Sequence, residues 1–251
     1  MIDIHTHILP HIDDGAANSA VSVSILEKEL SQGVTQVVLT SHYYGKRRSP
    51  QQFLERRNEA YQKIKNKIPA GISVRLGAEI HFTGMNMPDF EELCELSIEG
   101  TKYILIELPF TTAWRGDLLQ CLSDFIYDSG YTPIIAHVER YQEVWKNPAL
   151  VNELIEMGCL IQINAESLFR GREKKLVLKL LEHGQVHCIG SDTHDTENRA
   201  PNLAKAKTWF EKRKLGKTWE TLQGNMQCVL DDELVERPKT KPVKKFLWAY
   251  V

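Results

Sequence analysis

The sequence predicts a single-domain α/β fold, a closed or nearly closed barrel of parallel strands surrounded by helices. Three observations support this prediction. Seven short apolar segments alternate with helical segments along the chain. Polar side chains recur at or just beyond the carboxyl ends of these segments, which is where α/β barrels place their chemistry. The chain has 251 residues, which is close to the usual length of one such barrel, roughly 250 residues.

The predicted strands are short runs of apolar and β-branched residues. They cover residues 2–4, 35–40, 73–80, 103–108, 132–136, 159–164 and 186–190. Because helical segments separate them, we expect right-handed crossover connections and a mainly parallel sheet.

The predicted helices show apolar residues at helical spacing, and several end at a glycine. They cover residues 20–32, 50–68, 89–96, 116–129, 148–157 and 174–183, followed by 200–213 and 219–230, which close the barrel. The composition then changes at residue 236 to ERPKTKPVKK, with two prolines among five basic residues. We therefore expect a barrel over residues 1–235 and a basic tail over 236–251, either solvated or docked on a partner subunit of a homo-oligomer.

Composition excludes several classes of protein. Hydrophobic residues make up 42% and charged residues 25% of the chain, as in ordinary globular proteins. The formal net charge of −2 gives no global positive field, so nucleic acid is not an expected partner. There is no apolar run of about 18 residues, and the chain starts directly with a polar motif, so we expect a cytoplasmic protein without membrane insertion. The five cysteines are widely spaced, which favours reduced thiols.

The first fifteen residues carry a candidate metal motif. His5 and His7 follow a short apolar strand and lie on the same side of it, because side chains in a strand repeat every two residues. Asp13 and Asp14 offer carboxylate oxygens on the loop that follows. On its own this motif is weak evidence, since two polar residues at a strand end are often incidental.

Further candidate ligands lie at the ends of later strands, which strengthens the prediction. They are His42, Glu79, Glu107, His137, Asp192 and His194. In a parallel barrel these strand ends converge on one cavity, so we expect residues far apart in sequence to be neighbours. With His5, His7 and Asp14 they make nine candidate ligands.

Such a ligand set suits Mn, Fe, Zn or Co better than Ca or Mg, because imidazole favours the later transition metals. Nine ligands exceed the needs of one ion and would suit two or three metals that share a bridging carboxylate. A cluster of this kind lowers the pKa of a bound water and provides hydroxide at neutral pH. Hydrolysis of an ester, above all a phosphoester, is the chemistry that this pattern favours.

Two arginines are candidates for holding the phosphate. Arg140 lies three residues beyond His137, and Arg199 lies five beyond His194, so both belong to the same rim. The planar guanidinium group matches the oxygens of a phosphate. Arg47 and Arg48 follow His42 but are expected to be solvated. Four further histidines are not expected to be ligands, namely His11, His81, His183 and His187.

With these motifs the chain resembles the PHP (polymerase and histidinol phosphatase) superfamily, and within it the bacterial protein-tyrosine phosphatases of capsular and exopolysaccharide gene clusters. The matching segments are MIDIHTHILPHIDDG at 1–15, TSH at 40–42, GAEI at 77–80, YILIELPF at 103–110, PIIAHVER at 133–140 and SDTH at 191–194. The residues after His42 and after about 200 match less distinctly.

The resemblance implies a distorted (β/α)7 barrel with three metals, usually manganese. It assigns the ligands in three sets: His5, His7, Glu79 and Asp192; Glu79 as a bridge with Glu107 and His137; and Asp14, His42 and His194. It also assigns Arg140 and Arg199 to the substrate phosphate. Asp13 then remains as a supporting or structural acid.

The function implied by the resemblance is hydrolysis of phosphotyrosine on the tail of a bacterial tyrosine kinase that controls polysaccharide export. An aryl oxide is a good leaving group, so a metal-activated hydroxide needs little help from a general acid. The residues alone indicate a phosphoesterase and do not select tyrosine. A small-molecule phosphatase such as histidinol phosphatase, a non-catalytic metal-binding regulator, and a nuclease are the alternatives, of which the mild acidity disfavours the last.

Overall fold

The computed structural model describes residues 1–84, 89–114, 116–171, 173–246 and 249–250 of the chain. Its β-strands are β1 Ile2–Thr6, β2 Gln36–Leu39, β3 His42–Tyr43, β4 Ser73–Leu76, β5 Glu79–His81, β6 Tyr103–Glu107, β7 Thr132–Ile135, β8 Leu160–Asn164, β9 Cys188–Gly190, β10 Lys245–Phe246 and β11 Ala249–Tyr250. Its α-helices are α1 Ser19–Ser31, α2 Pro50–Ile64, α3 Phe90–Cys94, α4 Gly116–Ser129, α5 Gln142–Lys146, α6 Leu150–Glu156, α7 Lys174–Glu182, α8 Leu203–Lys212 and α9 Gly216–Leu230.

The strands form a curled parallel sheet. One part has the order β1-β2-β4, and the other has the order β3-β5-β6-β7-β8-β9. Because β3 continues β2 and β5 continues β4, these nine segments follow the paths of seven barrel strands. The predicted distorted seven-stranded α/β barrel is therefore confirmed, with each helical crossover joining parallel neighbours as the crossover rule requires.

Two of the predicted strands are interrupted. The predicted strand 35–40 ends at Leu39, because Thr40 instead exchanges hydrogen bonds with Thr6: Thr40 N donates to Thr6 O (2.8 Å), and Thr6 N donates to Thr40 Oγ1 (3.0 Å). The predicted strand 73–80 breaks at Gly77 and Ala78, where Glu79 N donates to both Thr40 O and Ser41 O. These breaks divide the sheet into its two parts. They separate β2 and β4 from the short strands β3 and β5, which carry His42 and Glu79.

The barrel closes between its first and last strands. Asp192 N donates to His5 O (2.9 Å), and His7 N donates to Thr193 O (2.8 Å). Thr6 and Thr193 form an isolated parallel bridge at the same place. Backbone pairing thus joins the histidine motif near the amino terminus directly to the segment after β9.

The hydrophobic core lies between the strands and the surrounding helices. Every residue of β1, β6 and β8 is buried, as expected for a parallel sheet that is covered by helices. The helix boundaries agree with the sequence expectations to within a few residues, apart from α5, which was not predicted. None of the helices in the described part of the chain has both the length and the apolar character needed to cross a membrane.

The basic tail runs over the body of its own chain. Thr240 Oγ1 donates to Asn152 Oδ1 (2.9 Å), His183 Nδ1 donates to Lys241 O (2.8 Å), and the Val243 side chain is fully buried. This part of the tail is packed on the barrel. Residues 247, 248 and 251 of the predicted tail lie outside the described residues, and the division of the chain at residue 235 remains a prediction.

Candidate metal centre

The nine side chains predicted as metal ligands come together at the carboxyl edge of the barrel. Their potential ligand atoms form four overlapping groups, and within each group these atoms lie within 4.8 Å of one another. The groups are His7, Asp14, His42 and His194; His5, Glu79 and His137; His5, His7 and Asp192; and His42, Glu79 and Glu107. Shared members make the four groups one continuous cluster.

Glu79 occupies the middle of the cluster and is fully buried. Its Oε2 lies 3.2 Å from Nε2 of both His5 and His7, and 3.0 Å from Nδ1 of His42. Its Oε1 lies 2.8 Å from Nε2 of His137. Burial alone would raise the pKa of this carboxyl, but the facing imidazoles of His5 and His42 hold the pKa of Glu79 well below its usual range. A carboxylate in this position can bridge two cations.

Several histidines are oriented by contacts on the side facing away from the cluster. His7 Nδ1 lies 2.8 Å from Asp13 Oδ2, and His194 Nδ1 lies 2.9 Å from the backbone oxygen of Asp192. These acceptors require a proton on Nδ1 of each ring, so Nε2, which faces the cluster, is the nitrogen that carries the lone pair when the ring is neutral. Asp13 also accepts from His42 N (2.8 Å), which matches its expected role as a supporting acid.

Neighbouring carboxylates raise the pKa of the histidine rings, whereas burial lowers it. Burial lowers the pKa of His7, but the Asp13 carboxylate outweighs it and the pKa rises to about 9. The pKa of His42 also rises to about 9, because Glu79 outweighs burial. Burial and the neighbouring charge of His7 lower the pKa of His194 to about 3. Ligation requires neutral imidazole, so a cation that binds to His7 and His42 must displace protons.

Two members of the cluster have a strained backbone. His137 has φ of 32° and Asp192 has φ of 54°, a region that residues other than glycine rarely adopt. Such conformations cost of the order of 1–3 kcal/mol each and persist only where the surrounding structure enforces them. Two glycines allow the close approach around the histidine motif: a Cβ on Gly15 would lie 2.1 Å from His7 O, and one on Gly190 would lie 2.6 Å from His5 Cβ.

The two predicted phosphate-binding arginines both contact Asp192. Arg199 Nη2 lies 2.9 Å and Arg140 Nη1 lies 3.1 Å from Asp192 Oδ2. The Arg140 guanidinium also stacks over the Phe110 ring, 4.9 Å from its centroid. Their side chains are 41% (Arg140) and 37% (Arg199) exposed, so each keeps N–H groups available to an anion that enters the cluster.

A cavity of about 350 Å³ opens beside the cluster. Its lining includes Asp14 and His42 from the cluster, together with Tyr44, Arg47 and Arg48. The Tyr44 ring lies 5.3 Å from the His42 ring, and the Arg47 guanidinium lies over Tyr44 at 4.8 Å. This cavity gives a substrate access to the ligand atoms from solvent.

His81, which the sequence did not mark as a site residue, contacts the cluster. Its Nδ1 lies 3.1 Å from Glu107 Oε2 and thereby orients that carboxylate. The signal in the sequence was its position two residues after Glu79, on the same face of the strand. His11, His183 and His187 are absent from the four ligand groups found among the described residues.

Two carboxamides also escape prediction from the sequence. Gln162 and Asn164 are buried at the carboxyl end of β8, where they contact His5 and Asp192. Their signal is the presence of two polar side chains at alternate positions in an otherwise apolar strand, Leu160–Asn164.

The donor set fits a bound cation. Within the described part of the chain, Glu79 Oε2, His42 Nδ1 and His194 Nε2 are buried and have no hydrogen-bond partner of proper geometry. Buried polar atoms are nearly always satisfied, so inward-facing atoms without a partner indicate a group that they would ligate. Imidazole and carboxylate are ligands of Mn, Fe, Co and Zn.

The fold and the cluster together define a class: α/β-barrel proteins with a candidate metal site at the carboxyl edge of the barrel. Residues 1–230 match the family described as "Capsular polysaccharide synthesis, CpsB/CapC". The chain belongs to this CpsB/CapC family.

Curated relatives span almost the whole chain. The tyrosine-protein phosphatase YwqE of Bacillus subtilis (strain 168) is 34% identical over 254 residues, covering 98% of this chain and 97% of that protein. The tyrosine-protein phosphatase CpsB of Streptococcus pneumoniae is 32% identical over 246 residues, covering 94% and 100%. A solved structure from work on these two proteins, described as unique metal-dependent tyrosine phosphatases, matches with a TM-score of 0.83 at 32% identity, covering 98% of this chain and 100% of that chain.

Proposed function

We propose that this chain is a metal-dependent protein-tyrosine phosphatase that removes phosphate from a bacterial tyrosine kinase controlling capsular polysaccharide synthesis. The observation that carries the proposal is the convergence of nine imidazole and carboxylate side chains at the barrel edge. Two arginines flank the same cluster at Asp192. The names of the full-length relatives support the choice of phosphotyrosine as the substrate.

In this proposal the ligands hold up to three ions, with manganese as the resident metal. His5, His7, Glu79 and Asp192 would hold the first ion; Glu79, Glu107 and His137 the second; and Asp14, His42 and His194 the third. His5, His7 and Asp192 form one compact group, and Asp14, His42 and His194 form another that also includes His7. In the second set, His137 Nε2 lies 2.8 Å from Glu79 Oε1 and 3.6 Å from Glu107 Oε1. Glu79, with one oxygen toward His137 and the other toward His7, supports its assignment as the bridge.

The chain's own groups then bind and orient the phosphoester. When bound, the metal ions supply Lewis acidity that activates water and polarises the phosphoryl group. Arg140 and Arg199 neutralise phosphate oxygens through N–H groups that they do not direct at Asp192. The aryl oxide of tyrosine leaves readily, so a dedicated general acid is not required.

The substrate and its location follow from the same proposal. The partner is the phosphorylated tail of a tyrosine kinase, and the place of action is the cytoplasm, where ATP-dependent phosphorylation occurs. Nucleic acid is not part of the proposal, given the net charge of −2. The cavity beside the cluster, lined by Tyr44 and two arginines, is where a polypeptide would enter.

The test is a phosphatase assay on purified protein with a phosphotyrosine peptide. Activity is expected with manganese and is expected to disappear with a chelator. Histidinol phosphate and a phosphoserine peptide are assayed in parallel. Turnover that resists chelation would refute the metal mechanism, and faster turnover of histidinol phosphate than of the peptide would replace the protein substrate with a small molecule.

A further inference from the structure

The strand β8 differs from the other barrel strands in what its carboxyl end carries. Each of the other strands supplies at least one of the nine predicted ligands at or just past its carboxyl end, whereas β8 supplies none. In their place it has Gln162 and Asn164, which are 0% and 7% exposed. Being two residues apart on a strand, the two carboxamides lie on the same face.

The direction of hydrogen bonding through this pair is fixed by the backbone. His137 N, which can only donate, lies 2.7 Å from Gln162 Oε1, so that atom is the amide oxygen. Gln162 Nε2 must then donate, and it does so to Ile163 O (2.7 Å) and Asn164 Oδ1 (3.0 Å). With its oxygen used in this way, Asn164 donates through Nδ2 to Asp192 Oδ2 (2.8 Å). One chain of donors and acceptors therefore runs from the end of β7 to the segment after β9.

The same oxygen of Gln162 sets the state of His5. It lies 3.2 Å from His5 Nδ1, which must carry a proton to donate to it. The opposite nitrogen, Nε2, faces the cluster, 3.2 Å from Glu79 Oε2. Gln162 thus favours the tautomer of His5 that leaves Nε2 free to bind a metal ion.

At the Asp192 end of this series of hydrogen bonds, the two carboxylate oxygens have different partners. Oδ2 accepts from Asn164 and from both Arg140 and Arg199. Oδ1 instead faces the histidine motif, 3.4 Å from His7 Nε2. Three donors on one oxygen leave the other oxygen as the atom directed at the cluster.

We propose that Gln162 and Asn164 are positioning residues that select the ligand atoms of the first metal, Nε2 of His5 and Oδ1 of Asp192. The inference rests on the metal centre of the proposed function and deepens it. Neutral amides suit the task because each both donates and accepts, whereas a carboxylate at either position would lack the donor and add charge to a site that already holds four acidic ligands.

The test compares variants of Gln162 with a matched buried amide elsewhere. Gln162→Met removes the hydrogen bonds at similar volume, and Gln162→Glu restores the acceptor that faces His5. Gln185→Met is the control, since Gln185 is equally buried and contacts Asn152 and Thr240, away from the cluster. Circular dichroism and thermal melting of the chelator-treated proteins establish that each variant is folded.

The principal readout is metal binding. Affinity and stoichiometry for Mn²⁺ are measured by competition with a chelating dye. Gln162→Met is expected to weaken the tightest site by roughly 10–100-fold, the usual effect of removing a group that orients a ligand. Gln162→Glu is expected to recover only part of this loss, because it keeps the acceptor for His5 Nδ1 but lacks the donor to Asn164 Oδ1. A second readout is nitrogen NMR of the Zn²⁺-loaded wild type, which should show His5 protonated on Nδ1 and ligated through Nε2.

The outcomes separate positioning from a purely structural role. If Gln162→Met and Gln185→Met lower the melting temperature alike and both bind Mn²⁺ as the wild type does, the positioning role is refuted. Ligation of His5 through Nδ1 would also refute it. If Gln162→Met does not fold, Asn164→Ala must weaken the same site without removing a ligand, and unchanged affinity in that variant refutes the proposal. A wild type that binds Mn²⁺ but does not hydrolyse phosphotyrosine would refute the proposed function while leaving this comparison valid.

Discussion

At the scale of single residues, hydrogen bonds to the outward-facing ring nitrogens fix the orientation of the histidines in the cluster. Asp13 holds His7 by its Nδ1, and the backbone oxygen of Asp192 holds His194 in the same way. Each of these two imidazoles therefore has one nitrogen hydrogen-bonded to the protein and one directed at the cluster. This division explains how a tightly buried group of polar side chains keeps its inward lone pairs available.

Removal of His194 tests the third ligand set. His194→Ala is expected to lower phosphatase activity by roughly 100-fold or more, because groups that act as a unit lose most of their effect together, and to release one metal ion per chain. The control is His183→Ala, whose ring is bonded to Lys241 O on the far side of the molecule. Elemental analysis and the peptide assay on the same preparations check both results; full activity in His194→Ala would contradict the assignment.

A buried histidine outside the cluster gives a pH dependence of stability. Burial and the charge of Arg237 lower the pKa of His187 from the ordinary value of 6.5 to about 4. As the pH falls, the unfolded chain takes up this proton before the folded chain does. The contribution of neutral His187 to the free energy of unfolding is therefore complete above about pH 6.5 and is lost as the pH falls toward 4. Between pH 7 and pH 5 the loss should be about 2 kcal/mol.

The variant His187→Asn isolates this effect, since its amide oxygen can replace Nδ1 as acceptor for Ile161 N. Denaturant unfolding at pH 7 and pH 5, with chelator present throughout, should show a smaller pH effect in His187→Asn than in the wild type. His183→Asn, at a half-buried ring, should behave as the wild type. Equal pH effects in all three proteins would show that His187 is protonated in the folded state.

At the scale of elements, the loop between β3 and α2 forms one wall of the cavity beside the cluster. Within the described residues, Arg47 and Arg48 form no ion pair, although Arg47 stacks over Tyr44. Under the proposed function these charges meet acidic residues that flank phosphotyrosine. The double variant Arg47→Gln/Arg48→Gln should raise KM for an acidic phosphopeptide roughly 3–10-fold, since each exposed charge pair contributes about 0.2–1 kcal/mol.

Two comparisons make that result specific to the loop. Hydrolysis of p-nitrophenyl phosphate, which has no flanking residues, should keep its kcat and KM in the double variant. Arg213→Gln, which alters an arginine stacked on Trp209 at the end of α8, should change neither substrate's kinetics. An equal loss on both substrates would indicate damage to the cluster instead.

The packing of β9 against β1 depends on Gly190. A Cβ at this position would lie 2.6 Å from His5 Cβ and 3.1 Å from Gln162 Nε2. Gly190→Ala is therefore expected to destabilise the protein by roughly 1–3 kcal/mol through overpacking and to weaken metal binding by displacing His5. Gly224→Ala is the control: no atom lies within 4 Å of its new Cβ in α9, so a gain of about 0.5–1 kcal/mol is expected. Unaltered stability of Gly190→Ala in urea would contradict this account.

The strands and helices also show which features of the fold could be predicted from the sequence alone. The seven strands and most helix boundaries were predictable, because apolar runs and terminal glycines mark them locally. The breaks at Thr40 and Gly77 were not, since they depend on hydrogen bonds to neighbouring strands. The site residues at strand ends were predictable from topology, but Gln162 and Asn164 were not, because their partners at His5 and Asp192 lie in other strands.

At the scale of the whole molecule, the cluster draws its ligands from six of the seven barrel strands, so metal binding should stabilise the entire fold. A metal present at 100 times its dissociation constant adds about 2.7 kcal/mol, which corresponds to a rise in Tm of roughly 5–10 °C for a domain of this size. Differential scanning calorimetry with manganese or with a chelator measures this shift. His194→Ala should show a smaller rise, and identical melting of the wild type with and without manganese would contradict a metal centre.

The closure between β1 and the segment after β9 also sets an order of events during synthesis. His5 and His7 leave the ribosome well before their backbone partners, Asp192 and Thr193, which lie roughly 190 residues later in the chain. At about 5–20 residues per second, roughly 10–40 s separate the two. Throughout that interval the nascent chain holds an incomplete ligand set and an unclosed barrel. The complete ligand set therefore exists only after residue 194 has been made, and any chain that terminates before residue 194 lacks part of its site.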